Sequence, residues 1–114
     1  MKAEWFKKIC RRLLKYNLNI VEIVQFGSSV YVPELSKDVD LLVISNDPKD
    51  YDVYLDAVDE ANLPFKVDVV IVKPGQELIW GILGAFNILY GNGRYVLEYA
   101  KRLGDQRLKR LSLP

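Results

Sequence analysis

Residues 20–44 have the sequence IVEIVQFGSSVYVPELSKDVDLLVI, and the rest of the predicted fold is built around this stretch. Its first seven residues are rich in β-branched side chains and predict a buried strand. A Gly-Ser-Ser sequence then breaks the strand, and a short helix is expected before Pro33. Residues 38–44 predict a second strand, whose first and third residues are acidic.

Helices and further strands are predicted on both sides of this pair. Apolar residues at helical spacing predict helices, and β-branched runs predict strands. The helices are expected at residues 3–16, 49–61, 76–84 and 94–103 and the further strands at 65–72 and 86–90, with the last ten residues forming a short basic helix or a frayed end. The fold class is therefore α/β or α+β, with helices packed on a sheet of about four strands. At 114 residues, the chain is expected to be one domain covering residues 1–114.

Composition excludes several classes of enzyme. The chain has no histidine, so the commonest general base and the commonest zinc ligand are both missing. Zinc hydrolysis and Ser-His or Cys-His catalysis are therefore not expected. Cys10 is the single cysteine and cannot form an internal disulfide. With no signal peptide pattern and no apolar stretch long enough to span a bilayer, a cytoplasmic protein without a membrane partner is expected.

Charge is distributed unevenly along the chain. The formal net charge is +1, but residues 16–93 are mostly acidic and both ends are mostly basic. An acidic centre suits a site that holds divalent cations and receives a polyphosphate. Terminal helices often have solvated basic faces, and charge alone favours this simpler explanation, so it assigns no function.

The turn and the acidic residues within residues 20–44 are the first indication of a phosphate-binding and metal-binding site. Glycine at position 27 allows a sharp turn and close approach to a ligand. If a helix starts there, its free N–H groups favour phosphate, and Ser28 adds a hydroxyl. Asp38 and Asp40 project from the same face of their strand, where they repel each other unless a cation lies between them. Magnesium accepts such hard carboxylate ligands, although solvated acids at an exposed strand end give the same pattern.

A third acid lies inside the apolar strand FKVDVVIV, residues 65–72. Aspartate is disfavoured in strands, so Asp68 needs a partner cation or an open edge. Lys66, two residues earlier on the same face, offers a purely structural partner. Metal binding and an ion pair therefore both explain Asp68.

Together these segments resemble the minimal nucleotidyltransferase (MNT) family of the DNA polymerase β-like superfamily. FGSSVYVPELSKDVDLLVI matches the family pattern of Gly-Ser, a spacer of about ten residues and Asp-x-Asp on a strand. KVDVVIV resembles the strand that bears the third acid, and NILYGNG resembles a late strand before the last helix. The resemblance implies the nucleotidyltransferase fold, with a mixed sheet flanked by helices.

The resemblance also implies the residues of the site. Asp38, Asp40 and Asp68 are the expected catalytic residues and the ligands of two Mg²⁺ ions. The expected contacts to ATP or another NTP come from the turn, namely Gly27, Ser28 and Ser29. Lys37 stands where relatives often have serine, and it is expected to replace a missing cationic contact. The implied reaction is transfer of a nucleoside monophosphate to a hydroxyl acceptor.

The partner is open at this level. Many MNT proteins belong to toxin–antitoxin pairs and add AMP to a tyrosine of a HEPN-type toxin, so such a protein or a second copy of the chain is expected. A small molecule and RNA are alternative acceptors, RNA with the weaker support. A catalytically inactive MNT-like module that masks its partner, and a purely structural α/β domain, are the rival hypotheses.

Overall fold

The computed structural model describes residues 3–33, 37–76 and 85–111, with side chains of the last helix as far as Arg102. Its elements follow the order of the predicted ones. They are α1 (Ala3–Tyr16), β1 (Ile20–Phe26), α2 (Ser28–Tyr31), β2 (Asp38–Ser45), α3 (Tyr51–Ala61), β3 (Lys66–Val72), β4 (Phe86–Tyr90) and α4 (Arg94–Leu111). The predicted helix at residues 76–84 lies, except for its first residue, outside the described residues.

The four strands form one mixed sheet in the order β3-β2-β1-β4. β1 pairs antiparallel with β2 and with β4, whereas β2 and β3 are parallel. α3 connects the two parallel strands, since a parallel pair needs a crossover connection. The mixed sheet of about four strands flanked by helices is confirmed.

Alternation along the strands divides the core between two faces of the sheet. Leu41 and Val43 pack with α1 and α3, while Leu42 and Ile44 pack with α4. The first face is the larger core and includes Ile9 and the other apolar residues of α1 that recur at helical spacing. The described elements therefore form three layers, with α1 and α3 on one side of the sheet and α4 on the other.

The end of α4 differs from the prediction. We expected a helix at residues 94–103, and the helix continues to Leu111, so most of the basic tail belongs to it. Among the described residues, no helix is long and apolar enough to cross a membrane.

Candidate active site

The candidate site is formed where β1 ends and β2 begins. Gly27 follows β1 and has φ of +79°, a conformation that side chains with a Cβ rarely adopt. A Cβ on Gly27 would lie 2.6 Å from Oδ2 of Asp40, which is closer than two such atoms can approach. The missing side chain therefore lets the turn lie directly against this carboxylate.

Sheet register brings the acids together. In the antiparallel pair Phe26 lies opposite Asp40, and in the parallel pair Asp40 lies opposite Asp68. Asp38 lies on the same face of β2, two residues before Asp40. All three belong to the face that α4 covers farther along the strands, at Ile44 and Val72. The acids therefore lie beyond the part of this face that α4 packs against.

Electrostatics at this point are unfavourable for three ionised carboxylates. Burial raises the pKa of Asp40 above its usual value, and the charges of Asp68 and Asp38 raise it further. Lys66 offsets part of the repulsion, because its Nζ lies 3.7 Å from Oδ1 of Asp68. Both of these side chains are largely exposed, so their contact stabilises little. The ion pair with Lys66 that would explain Asp68 without a metal is therefore present but weak, and Asp68 also lies next to Asp40.

The donor set suits a divalent cation in chemistry and in backbone placement. Three carboxylates supply the hard oxygen ligands that Mg²⁺ prefers, and sheet register places them at neighbouring positions on one face. Within the described ranges, however, no group of three or more His, Cys, Asp or Glu side chains is gathered closely enough to hold a metal ion. Metal binding at these positions would therefore require rotation of side chains, of which Asp38 is exposed and Asp40 and Asp68 are half-buried.

Of the other residues predicted to contact the nucleotide, two are exposed and one is buried. Ser28 is exposed at the start of α2 and is free to face a ligand, as is the exposed Lys37 before β2. Ser29 is buried, and its Oγ accepts a hydrogen bond of 2.9 Å from Nε2 of Gln25. The Ser29 hydroxyl therefore faces the interior, so any contact of Ser29 with a nucleotide would come from its backbone.

Gln25 is a residue that the sequence reasoning overlooked. It is 4% exposed, donates to Ser29 and accepts a hydrogen bond of 3.2 Å from Nδ2 of Asn87 on β4. The chain of three side chains thus joins β4, β1 and α2 directly behind the turn at Gly27. A polar residue inside the strand IVEIVQF was the available signal, since buried amides are retained where they have partners.

Two other groups bear on the site. The hydroxyl of Tyr31, at the end of α2, accepts a hydrogen bond of 2.7 Å from the backbone N–H of Ala85, so α2 is also held from the side of β4. Cys10 is remote in the α1 core, and burial raises the pKa of its thiol to about 11. It is therefore protonated at neutral pH and does not act as a nucleophile.

Comparison with known proteins gives matches in structure but not in sequence. No family model matches the chain, and neither does any curated protein. A complex of a tri-AMPylated HEPN toxin from Shewanella oneidensis with an MNT antitoxin contains a similar chain, with a TM-score of 0.65 and 18% identity over 97% of this chain and 96% of that one.

Two further complexes give the same result. A toxin–antitoxin complex with AMP-PNP matches with a TM-score of 0.68 and 18% identity. A mutant of the toxin–antitoxin pair MntA-HpeT, with two aspartates two positions apart replaced by glutamate, matches with a TM-score of 0.66 and 18% identity. Each of these two matches covers 91% of this chain and 87% of the other. At this identity the likeness establishes the fold: the chain has the nucleotidyltransferase fold of MNT proteins, as the resemblance of its motifs predicted.

Proposed function

We propose that the chain is a magnesium-dependent nucleotidyltransferase that moves AMP from ATP to a hydroxyl group of a HEPN-type protein partner. The observation that carries this proposal is the position of Asp40. Its carboxylate lies against the turn at Gly27 on one side and opposite Asp68 on the other. A phosphate contact and a set of metal ligands would therefore adjoin each other, as transfer of a nucleotide requires.

In this proposal each residue has a defined role. Asp38 and Asp40 would hold two divalent cations between them, and Asp68 would complete the coordination of one. When bound, such cations neutralise the triphosphate and lower the pKa of the acceptor hydroxyl. Ser28 and the turn at Gly27 would bind phosphate oxygens, and Lys37 would supply a further positive charge.

The reaction itself is an in-line displacement at the α-phosphorus. The acceptor oxygen forms a bond to that phosphorus as the bond to the bridging oxygen of the β-phosphate breaks. Pyrophosphate leaves with the bonding electrons, and the proton of the hydroxyl passes to solvent. Positioning and charge neutralisation contribute most of the acceleration in phosphoryl chemistry of this kind.

The partner and nucleotide are inferred from the similar complexes. One of them contains a tri-AMPylated HEPN toxin beside an MNT antitoxin, and another contains AMP-PNP. The MntA-HpeT mutant replaces two aspartates with the same spacing as Asp38 and Asp40. These parallels support AMP as the transferred group and an antitoxin role for this chain.

The test is a transfer assay with two labels. The chain, Mg²⁺ and a HEPN-type protein are incubated with ATP labelled either at the α-phosphate or at the γ-phosphate. We expect label on the partner from the first ATP alone, because the γ-phosphate departs with pyrophosphate. Asp40→Asn should lower the transfer rate by about a hundredfold to a thousandfold, in the range typical of losing a catalytic electrostatic contact.

A matched variant separates the site from the rest of the chain. Asp47 is an exposed acid whose partner is Lys49, so Asp47→Asn should transfer at the wild-type rate. A stable complex of partner and chain that never acquires label would establish the masking module instead. Equal rates for the two variants would remove Asp40, and with it the observation that carries the proposal, from the mechanism.

A further inference from the structure

A cleft of about 530 Å³ lies between α3 and the outer edge of β3. Its lining includes Tyr51, Leu55 and Asp59 from the helix and Val67 and Asp68 from the strand. In the described part of the chain, β3 is the last strand on its side of the sheet. Because Asp68 belongs both to the lining and to the acidic cluster, the cleft borders the candidate active site at the edge of the sheet.

The register of β3 determines which backbone groups face outward. The N–H of Lys66 donates to the carbonyl of Lys37, at 3.3 Å, so the backbone groups of Lys66 face β2. Successive residues of a strand direct their N–H and C=O groups to opposite edges. Val67 and Val69 therefore direct theirs away from β2. Such an edge is a template for pairing with another extended chain.

The charge of α3 indicates what kind of chain would fit. The helix YDVYLDAVDEA carries four acids, Asp52, Asp56, Asp59 and Glu60, and no basic residue. All four are exposed, but Glu60 pairs with Arg12 and Lys15 of α1. Asp59 is the acid of α3 that lines the cleft, where β3 adds Asp68 and Lys66. Tyr51 and Leu55, which line the cleft, are 48% and 37% exposed. With two aspartates against one lysine in its lining, the cleft offers negative charge and an apolar wall, which together favour a basic segment with apolar residues at alternate positions.

We propose that this cleft binds the segment that carries the acceptor hydroxyl, as an extended basic strand paired with the edge of β3. The purpose of the cleft rests on the proposed function, since strand pairing beside Asp68 would place the hydroxyl next to the acidic cluster. Binding of the strand does not require nucleotide or metal, so it is testable separately. The occupant is a basic polypeptide segment of the partner protein.

The probe is a fluorescent peptide of about nine residues, with alternating lysine and valine and a central tyrosine. It is titrated into the full chain without nucleotide or metal. We expect chemical-shift changes at the amides of Val67, Val69 and Leu55. Asp59→Lys should weaken binding about tenfold, which corresponds to about 1.4 kcal/mol. The charge-matched control Glu98→Lys, on α4 at the other face of the sheet, should not weaken it.

Two N-methylated versions of the peptide test the strand geometry. One is methylated at the odd amides and the other at the even amides. A strand paired along one edge uses only one of these sets, so one version should lose about tenfold or more in affinity and the other should keep it. Equal affinity of the two versions would overturn strand pairing. If Asp59→Lys and Glu98→Lys weaken binding equally, the peptide responds only to the net charge of the protein, and binding in the cleft is overturned.

A second copy of the chain is the competing occupant. If raising the protein concentration without peptide shifts the same amides, self-association occupies the edge and the proposal is overturned. The Asp40→Asn variant should bind the peptide normally. If the peptide binds but AMP is transferred to no partner, only the proposed reaction is overturned. If AMP is transferred but the peptide does not bind, only the proposed role of the cleft is overturned.

Discussion

At the scale of single residues, Gly27 is the position where backbone geometry and site chemistry coincide. Its positive φ excludes most side chains, and the neighbouring Oδ2 of Asp40 excludes a Cβ. Gly75, just after β3, has a similar φ of +80°, but none of the described residues lies within 4 Å of a Cβ added there. Substitutions at the two glycines therefore distinguish the effect of a strained backbone from the effect of a clash with Asp40.

We predict that Gly27→Ala and Gly75→Ala each lower the free energy of unfolding by about 1–3 kcal/mol, because both force alanine into the left-handed region. Only Gly27→Ala should also lower the rate of the proposed AMP transfer, because its methyl group displaces the Asp40 carboxylate. Urea denaturation and the transfer assay measure the two effects. An unchanged rate in Gly27→Ala would show that close contact between the turn and Asp40 is not needed.

The neighbouring serines show where reasoning from residue types stops. Ser28 and Ser29 are indistinguishable in sequence, and both were predicted to contact nucleotide. In the structure Ser28 is exposed, whereas the Ser29 hydroxyl is bound to Gln25. The difference depends on how α2 is rotated against β1, which a four-residue helix does not reveal through any periodicity.

At the scale of elements, α4 is attached to the sheet through a buried acid. Glu22 on β1 is fully buried, and its Oε2 accepts a hydrogen bond of 2.9 Å from the N–H of Tyr95 in the first turn of α4. Burial raises the pKa of Glu22, while the N–H groups of Tyr95 and Val96 act in the opposite direction. The net shift is upward, so the native state holds this proton more tightly than the unfolded chain does.

The sign of the resulting pH dependence follows. A carboxyl whose pKa is higher in the folded state contributes a stability that is lost as pH rises from its unfolded value of 4.5 through the folded value. We predict that Glu22→Gln, which keeps an acceptor for Tyr95, flattens the fall of unfolding free energy above pH 4.5. Glu98→Gln on the exposed side of α4 should leave the slope unchanged. Denaturant titrations across this range measure both, and identical slopes for wild type and Glu22→Gln would contradict the assignment.

Element boundaries were predicted more closely than the way in which elements combine. The β-branched runs correctly placed β1, β2 and β3, because such residues suit a pleated, half-buried surface. That pattern does not indicate that β1 and β2 are antiparallel, since the sequences of buried parallel and antiparallel strands look alike. Yet this direction is what places Phe26 opposite Asp40, so the contact between the turn and the acids was a hypothesis until the register was known.

At the scale of the whole molecule, the three layers leave one region of a sheet face for chemistry. α1 and α3 fill the first face with most of the core, and α4 packs on the second face around Leu42 and Ile44. The acids of β2 and β3 lie on this second face, beyond the residues that α4 contacts. Their mutual repulsion is a cost to the fold as a whole, and it is tolerated where water or a ligand reaches the carboxylates.

That cost predicts how the stability of the molecule responds to divalent cations. Removing one carboxylate relieves repulsion, so Asp40→Asn should raise the melting temperature in chelator relative to wild type. A cation that binds only the native state stabilises it by mass action, by about 1.4 kcal/mol at a concentration ten times the dissociation constant. For a chain of this size, that corresponds to a rise of about 5 °C. Thermal scans with Mg²⁺ or Mn²⁺ should show this rise in wild type and in Asp47→Asn but not in Asp40→Asn. If all three proteins respond alike, cations bind elsewhere, and the acids at the ends of β2 and β3 are simply solvated.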